Sequence, residues 1–454
     1  MPALHDFATW EPLLTLLRAA QPDRTRPVVG SVSRTGWSLP QSRQQPVDEA
    51  VAPVRRALAE AADHEALFVA DVSPGGQAVL HVFGTNPAVE YGLRNPSPGT
   101  LVLVEGTVPE PWRHLPDPMP GAVPAPSADP ALLERTLRER LPDAVGATEE
   151  EIAAAEARLG VALPEELKAL YRATRVRPAG PDGSGDWEAD FAEQQIAEAA
   201  VGCELSSLED LFALDTDRRP CPWQFAATKA VVTPPDSAVQ GLVGSPGWIV
   251  FGSNGGDMFA VDLTPGPRGH LGQVILIDHE QSVGAELYGE SLTELVLNGF
   301  ESSVPARRQE RRSPAVARVG DHHDLVDLES AAHPDLEVVQ IFDRGGAPLS
   351  LAPIVGLPRI RTLTAHPGTL ADPLEITGLP GLEFLSLGPD EWRVLLDNGA
   401  VPRGLSAADI EARGNEHPVA VVTVVNDLLA LWDRPPIPHT VVRGSLDPSG
   451  PPDR

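Results

Sequence analysis

The sequence predicts an α+β protein with more than one domain. Its 454 residues exceed the length that one hydrophobic core usually serves. Two amphipathic helical stretches between Thr148 and Tyr171, followed by three apolar segments separated by Gly/Pro turns between Trp248 and Asp278, indicate helices packed beside an antiparallel sheet. Residues 336–388 repeat one apolar pattern three times, which predicts short parallel strands.

The composition indicates a globular chain with a strongly acidic surface. Hydrophobic residues make up 42% of the sequence, and the formal net charge is −29. This charge repels nucleic acid and anionic membranes and favours basic partners. Cys203 and Cys221 are not spaced like metal ligands, and the N-terminus has no basic and apolar segments of a signal peptide. We therefore expect a reduced, cytoplasmic protein with no nucleic-acid or membrane partner.

Shifts in composition predict the domain boundaries. The N-terminal part mixes helix and strand signals and contains no motif that carries chemistry, while Pro-rich and Arg-rich stretches interrupt the chain later. The predicted organisation is a small α+β unit at 1–114, a Pro-rich linker at 115–128, a central domain at 129–301, a linker at 302–320, a repeat region with a helical cap at 321–432 and a disordered tail at 433–454.

The central domain begins with clear helix signals. Asp129 before Pro130 fits an N-cap followed by the first helical residue. Thr148 and Glu151 have the spacing of a capping box, and Gly160 suits the left-handed residue that ends a helix. The following "LPEEL" restarts a helix, so the sequence predicts a tight helix pair. Its acidic surface does not favour DNA binding.

The stretch "GSNGGD" at 252–257 is a Gly-rich loop whose function can be weighed from its context. It leads into a strand and no G-K-[ST] follows, so it does not fit a phosphate loop. Asp257 and Asp262 offer too few oxygens for calcium, and their odd spacing points them to opposite faces of a strand. We expect a hairpin turn in which Asn254, Gly255 and Gly256 take positive φ values.

Two histidine-containing segments could supply metal ligands or a catalytic base. His279 follows a strand in "IDHE", where a hydrogen-bonded strand-end histidine is the expected role and a ligand or base is the alternative. The adjacent histidines of "DHHD" at 321–324 lack the i, i+4 spacing of metal ligands on a helix. An enzyme would need Asp257, Asp262 and His279 to converge in a pocket. We expect no catalytic residues, no metal and no cofactor.

The repeated pattern lies in "LEVVQIF" (336–342), "IRTLTAH" (360–366) and "LEFLSLG" (382–388), at offsets of 24 and 22 residues. Each copy predicts one strand of a small solenoid. Gln340, Thr364 and Ser386 lie between the repeat's apolar positions and are expected to point away from the core. They are candidates for partner contact, although exposed strand polarity explains them equally well.

Residues 147–301 resemble the SUKH superfamily, which includes fungal cell-wall regulators of the Smi/Knr type and many bacterial immunity proteins. The resemblance rests on E-I-x3-E-x2-LG-x2-LP at Glu151–Pro164, then "LSSLEDL", G-x-x-G-G-D, "AVDL" and "GQVILIDHE" in that order. The sequence departs from the family where an Asn-Gly pair often follows the second helix and "TRVRPAGPDG" stands here. The C-terminal copies look like a short leucine-rich repeat, with Asp390 where Asn or Cys is usual.

The resemblance implies a SUKH-like antiparallel sheet with flanking helices and a non-enzymatic role in protein binding. One interpretation is an immunity protein that neutralises a polymorphic toxin, whose basic surface an acidic protein would attract. The alternative is a scaffold or regulator of the Smi/Knr type with no toxin partner. The candidate residues for binding a protein partner are Asp257, Asp262, His279, Gln340, Thr364 and Ser386.

Overall fold

The computed structural model describes residues 3–20, 26–39, 47–90, 101–104, 106–176, 187–300, 313–320, 325–343, 345–412 and 417–446. The chain divides into two compact units. Unit 1 combines Met1–Thr107 with Val316–Arg454, and unit 2 is Val108–Ala315. The sequence placed 1–114 and 321–432 in separate modules, and the structure corrects this by joining them in one unit. The "DHHD" segment and residues 302–312 lie outside the described residues.

The first sheet of unit 1 is antiparallel and has the strand order β18-β4-β3-β1-β2. Apolar side chains of two N-terminal helices cover it, and Trp10, Leu14, Val51, Phe68 and Leu80 belong to the shared core. The elements are α1 (Phe7–Ala20), β1 (Val28–Ser33), β2 (Trp37–Ser38), α2 (Val47–Ala61), β3 (Glu65–Val72), β4 (Gln77–Phe83) and β18 (His439–Ser445).

The second sheet of unit 1 has the order β13-β14-β15-β16-β17-β6-β5. Pairing is parallel from β13 to β17 and antiparallel from β17 through β6 to β5. The repeat copies form β14, β15 and β16, so the prediction of one parallel strand per copy is confirmed. The strands are β5 (Val89–Glu90), β6 (Leu101–Leu103), β13 (Val316–Val319), β14 (Val338–Ile341), β15 (Thr362–Ala365), β16 (Phe384–Leu387) and β17 (Ala407–Ile410).

One face of this parallel sheet packs into the larger core of unit 1. Val339, Leu363, Leu385 and Ala408 occupy matching register positions on successive strands and are buried together. Alternation along each strand sends these side chains inward and their neighbours to the other face. The helices associated with this region are α9 (Leu328–Ala331), α10 (Pro389–Asp397) and α11 (Pro418–Leu431).

Residues 433–446 are not the disordered tail that their proline content predicts, and residues 447–454 lie outside the described residues. Strand β18 pairs with β4 along the full register from His439 to Ser445. Val442 and Leu446 are buried in the core of the first sheet. A Cβ at Gly444 would lie 2.3 Å from the Phe7 ring, so the strand packs closely against α1. Tertiary pairing overrides the local composition here.

Unit 2 consists of an antiparallel sheet with helices around it, in agreement with the predicted α+β class. The sheet has the order β12-β11-β10-β9-β7, and β8 also pairs with β9. The helices are α3 (Pro130–Arg140), α4 (Glu149–Leu159), α5 (Glu165–Ala173), α6 (Trp187–Val201), α7 (Trp223–Ala226) and α8 (Leu292–Asn298). The strands are β7 (Glu204–Leu205), β8 (Phe212–Ala213), β9 (Trp248–Ser253), β10 (Met258–Asp262), β11 (Gln273–Ile277) and β12 (Glu286–Gly289).

The helix boundaries of unit 2 follow the capping signals in the sequence. The Asp129 side chain accepts a hydrogen bond from the Leu132 amide at the start of α3. Thr148 and Glu151 form the predicted capping box of α4 in both directions, and Gly160 ends that helix at φ 72°. These caps satisfy amides and carbonyls that a helix end leaves unpaired.

Both predicted linkers carry structure in their described parts. In the Pro-rich segment 115–128, Asp117 exchanges two 2.8 Å hydrogen bonds with the buried Gln240 side chain. Ser127 bonds Ser291 at 3.0 Å, so the segment is anchored on unit 2. The second linker, 302–320, contains β13, which joins the parallel sheet of unit 1. No helix within the described ranges is both long and apolar enough to cross a membrane.

Candidate functional site

The Gly-rich stretch is a hairpin turn between β9 and β10. Ser253 pairs with Met258, and the Asn254 amide donates to the Asp257 carbonyl at 3.1 Å. The Asn254 side-chain oxygen accepts from the amides of Gly256 (3.1 Å) and Asp257 (2.8 Å). Gly255 has a φ of 91°, whereas Asn254 and Gly256 do not take the positive values that the sequence analysis expected. The side-chain bonds of Asn254 close the turn instead.

This turn positions Asp257 against His279. One carboxylate oxygen of Asp257 accepts from the His279 backbone amide at 3.1 Å and from its ring Nδ1–H at 2.7 Å. The hydrogen bond to Asp257 raises the pKa of His279 above its ordinary value. Partial burial acts to raise the pKa of Asp257, but the bonds from His279 and Asn254 outweigh it and the net pKa is lowered. Asp257 is therefore charged at neutral pH.

Asp278 completes this group, although it was not among the predicted site residues. One ligand atom each from Asp257, Asp278 and His279 lie within 4.8 Å of one another. The register explains this, because Met258 pairs with Ile277 and so brings the residues at the adjoining strand ends together. The strand pairing was the signal that could have identified Asp278. Asp278 accepts from the Glu280 amide at 2.7 Å, which fixes the loop.

We call the surface formed by four neighbouring residues, Asp257, Asp278, His279 and Glu280, the acidic hairpin surface. Glu280 and His279 are exposed, and Asp257 and Asp278 are partly exposed. Carboxylates accept up to about four hydrogen bonds each, so these groups retain acceptor capacity for Lys or Arg side chains of a partner. Two carboxylates and an imidazole are also groups that coordinate divalent cations.

Asp262 does not belong to this surface, which corrects its selection as a partner-contact residue. It ends β10 and is fully buried. Its oxygens accept from the Thr264 amide (2.8 Å), the Thr264 hydroxyl (3.2 Å) and the Gln273 side-chain amide (3.0 Å). Burial raises its pKa to about 6 despite these bonds. Asp262 acts within the core, where a partner has no access.

The candidate residues of unit 1 do form a row. Gln340 pairs in register with Thr364, and Thr364 with Ser386. Gln340 and Thr364 are half-buried. Ser386 is buried and donates to an Asp409 carboxylate oxygen at 2.6 Å, so its selection for partner contact is corrected.

Both ends of this row carry charged residues that were not among the predicted site residues. Asp409 lies in register with Ser386, and Arg318 lies in register with Gln340. The Arg318 guanidinium carbon is 5.3 Å from the centre of the Phe342 ring, a cation–π contact. Arg318 lies on β13, whose sequence lacks the leucines of the repeat and falls in the predicted linker 302–320. Alternation in "VARV" was the available signal.

Unit 2 also has a cleft whose lining residues include none of the acidic hairpin surface. It has a volume of about 120 Å³, and its lining includes Glu151, Tyr171 and Arg175. Sites for drug-sized ligands usually have about 300–1,000 Å³. The Arg175 guanidinium is ion-paired with Glu151, and the Tyr171 hydroxyl donates to the Ser206 carbonyl at 2.8 Å. The cleft walls are thus held by internal bonds.

Comparison with known protein families identifies one part of the chain. Residues 146–298 match the model of the SMI1 / KNR4 family (SUKH-1). The match covers α4, α5, the whole antiparallel sheet and α8, and it supports the resemblance to the SUKH superfamily for this region. It includes the acidic hairpin surface. No curated protein matches the chain.

Proposed function

We propose that this chain is a non-enzymatic protein that binds a basic partner protein through the acidic hairpin surface of unit 2. The observation that carries the proposal is the convergence of Asp257, Asp278 and His279 beside the exposed Glu280. The carboxylates are fixed by backbone hydrogen bonds, so little side-chain entropy is lost when a partner's Lys or Arg binds them.

The net charge of −29 supports a basic partner. An acidic surface steers a basic protein during diffusion and raises the association rate, and salt weakens this effect. The same charge disfavours nucleic acid and anionic membranes as partners.

The finer form of the proposal is an immunity protein that neutralises a polymorphic toxin. The SUKH-1 match supports it, because the superfamily includes immunity proteins. Toxins that attack nucleic acid carry basic surfaces for phosphate contact, and the acidic hairpin surface complements them. A toxin gene beside the gene for this chain supports this form. A conserved neighbourhood without a toxin counts against it.

The second candidate is a cytoplasmic scaffold or regulator of the Smi/Knr type. The additional unit 1 favours this candidate, because its parallel sheet offers a second surface. We propose that this sheet is a short leucine-rich repeat, with the half-buried side chains of Gln340 and Thr364 as partner contacts. Repeat sheets of this kind are protein-binding scaffolds.

The geometry favours binding over catalysis. Asp257 precedes β10 and Asp262 ends it, and no hydrogen bond or ion pair joins the two among the described residues. A paired acid and base within hydrogen-bond reach of one substrate is thus not formed by these carboxylates.

The proposal is tested by affinity capture from the native cytoplasm at low and high salt, followed by mass spectrometry. The unaltered chain is compared with a triple variant of the acidic hairpin surface, Asp257→Asn, Asp278→Asn and Glu280→Gln. The matched control removes three exposed carboxylates elsewhere in unit 2, through Glu139→Gln, Glu150→Gln and Asp236→Asn.

We expect a basic protein that is retained at low salt, weakened at high salt, and lost in the triple variant but kept by the control. A single toxin-like protein supports the immunity form, and a set of signalling or housekeeping proteins supports the scaffold. Equal retention by the triple variant and the control would show that the acidic hairpin surface is not the binding site.

A further inference from the structure

Three histidines and one aspartate meet in unit 1, where the C-terminal strand joins its sheet. Nδ1 of His81 on β4 and Nε2 of His439 on β18 are hydrogen-bonded at 3.0 Å, and their rings stack with centres 5.2 Å apart. The ring of His417, at the N-cap of α11, lies edge-on to His81 at 6.0 Å. Nε2 of His417 bonds the Asp71 carboxylate on β3 at 3.1 Å.

These imidazoles lie where β18 is attached. Within the part of the chain that the structure describes, β18 pairs only with β4 and forms one edge of the sheet. His439 opens that pairing, and its ring also stacks on Phe83, with ring centres 4.6 Å apart. Gly84 donates to the Pro438 carbonyl at 2.9 Å just before the strand. The contact between His81 and His439 thus helps to attach the N-terminal end of β18 to β4.

We propose that His81, His439, His417 and Asp71 form a proton-sensitive latch, which holds β18 on β4 at neutral pH and releases it in acid. Release exposes the hydrogen-bonding edge of β4, which is a template for pairing with another strand.

The bond between two imidazoles restricts their protonation. One ring nitrogen must donate and the other must accept, so the pair holds together while at least one ring is neutral. Protonation of both rings removes the acceptor and places two positive charges in contact. His417 adds a third imidazole beside His81.

The surroundings of His81 and His439 favour the neutral forms of both rings. Burial, followed by the imidazoles of His439 and His417, lowers the pKa of His81, with a smaller lowering by Arg443 on β18. Asp71 acts in the opposite direction on His81. Burial also lowers the pKa of His439. Asp71 is already bonded to His417, so it compensates for the other two rings only in part.

The sign of the pH dependence follows from these directions. When β18 detaches, the imidazoles of His81 and His439 return to water and to an ordinary pKa near 6.5. The detached state therefore binds protons more readily, so the pairing is fully stable above about pH 6.5 and weakens as the pH falls. If one imidazole stays neutral in the attached state, lowering the pH to about 5 raises the equilibrium constant for detachment of β18 by roughly 30-fold at most.

The experiment is hydrogen–deuterium exchange of the full chain from about pH 7.5 to 5, corrected for the intrinsic pH dependence of amide exchange. The reporter is a peptide that covers β18, and helix α2 of the same unit is the internal reference. We expect the protection of β18 to fall at least about threefold relative to α2 across this range. A chelator is present in a parallel series, and the same fall is expected there.

The double variant His81→Asn and His439→Gln replaces both rings with amides that donate and accept but do not titrate. We expect its β18 protection to depend at most weakly on pH. The single variant His439→Gln changes an exposed side chain and is expected to remove part of the dependence, so the test does not rely on the double variant folding. His270→Gln in unit 2, outside the acidic hairpin surface, is the matched control and should behave as the unaltered chain.

Three results would overturn the proposal. They are β18 protection that does not change with pH in the unaltered chain, an equal change in His439→Gln, and a change that disappears in the chelator.

Discussion

Three histidines of this protein, His81, His279 and His439, occupy two contrasting environments. His279 donates to the Asp257 carboxylate at 2.7 Å, which favours its charged form. His81 and His439 contact each other under partial burial, which favours their neutral forms. The bond to Asp257 therefore stabilises unit 2 below the ordinary imidazole pKa and fades as the pH rises through the raised value. The pairing of His81 and His439 has the opposite dependence.

The His279–Asp257 contact predicts a titration that the variant Asp257→Asn should shift. In the unaltered chain, we expect the His279 ring to titrate above 6.5, because the carboxylate stabilises the imidazolium. Replacing the carboxylate with a neutral amide should lower the midpoint towards 6.5. NMR chemical shifts of the ring, followed against pH, measure both. His270→Gln is a control that should leave the His279 midpoint in place, and a midpoint unchanged by Asp257→Asn would contradict the contact.

Buried Asp262 predicts a second pH effect, on stability. Its pKa rises from 3.8 unfolded to about 6 folded, so its stabilising contribution is complete below about pH 4 and is lost as the pH rises through 6. The difference of about two pKa units corresponds to roughly 3 kcal/mol. Between about pH 4 and 7, the unaltered chain should lose up to this much unfolding free energy relative to Asp262→Asn, measured by urea denaturation. Parallel pH profiles for the two chains would show that Asp262 does not titrate in this range.

Residue types alone identified part of the candidate site. Asp257 and His279 were selected from the sequence, and they do contact each other. Asp262 was selected with them, yet its burial depends on Thr264 and on Gln273 from the next strand, a relation that exists only after folding. Asp278 was overlooked because only the strand register brings it to Asp257.

At the scale of elements, the hairpin between β9 and β10 shows how the turn holds the acidic hairpin surface. The sequence predicted a turn but assigned positive φ to three residues, whereas Gly255 alone of these takes it. The Asn254 side chain supplies the other constraints by bonding two amides. Side-chain hydrogen bonds of this kind stabilise a turn without requiring positive φ values at every turn residue.

The turn predicts a difference between two glycine substitutions. Gly255→Ala places a Cβ on a backbone with φ 91° and should destabilise the hairpin by roughly 1–2 kcal/mol. At Gly256, φ is not positive and a Cβ would lie 3.4 Å from the exposed His279 ring, so Gly256→Ala should cost clearly less. Exchange protection of β9 and β10 compares the two. Equal losses, or a larger loss for Gly256→Ala, would contradict the described turn.

Other elements show why local patterns were insufficient. The helix caps and the repeat strands were predicted because their signals lie within a few residues of each other. Strands β13 and β18 were missed because each forms only by pairing with a strand elsewhere in the chain. Their valine and threonine residues favour a strand, but each segment is short and lies beside an Arg-rich or Pro-rich stretch that predicts a linker or a tail.

At the scale of the whole molecule, unit 1 is assembled from both ends of the chain. β4 pairs with β18, and β6 pairs with β17. A reading of the sequence in order divides these segments because more than 200 residues of unit 2 separate them. Pairing over such a distance leaves no trace in composition or periodicity, so the sequence could not reveal it.

This arrangement predicts how fragments of the chain behave. Residues 108–315 carry their own buried clusters and should unfold cooperatively alone. Residues 1–107 alone lack the partner strands of β4 and β6, so this fragment should not unfold cooperatively. Co-expression with residues 316–446 should restore its folding. Circular dichroism during urea denaturation distinguishes these outcomes. Cooperative unfolding of 1–107 by itself would mean that unit 1 does not need its C-terminal half.

The central claim is that the acidic hairpin surface binds a basic protein. The most direct measurement is the dissociation constant of the captured partner as a function of salt, for the unaltered chain, the triple variant (Asp257→Asn, Asp278→Asn, Glu280→Gln) and the control (Glu139→Gln, Glu150→Gln, Asp236→Asn). Loss of three close charge contacts should weaken binding by at least about tenfold at low salt and flatten the salt dependence, while the control stays within about twofold. Equal affinities and equal salt slopes for the triple variant and the control would contradict the claim.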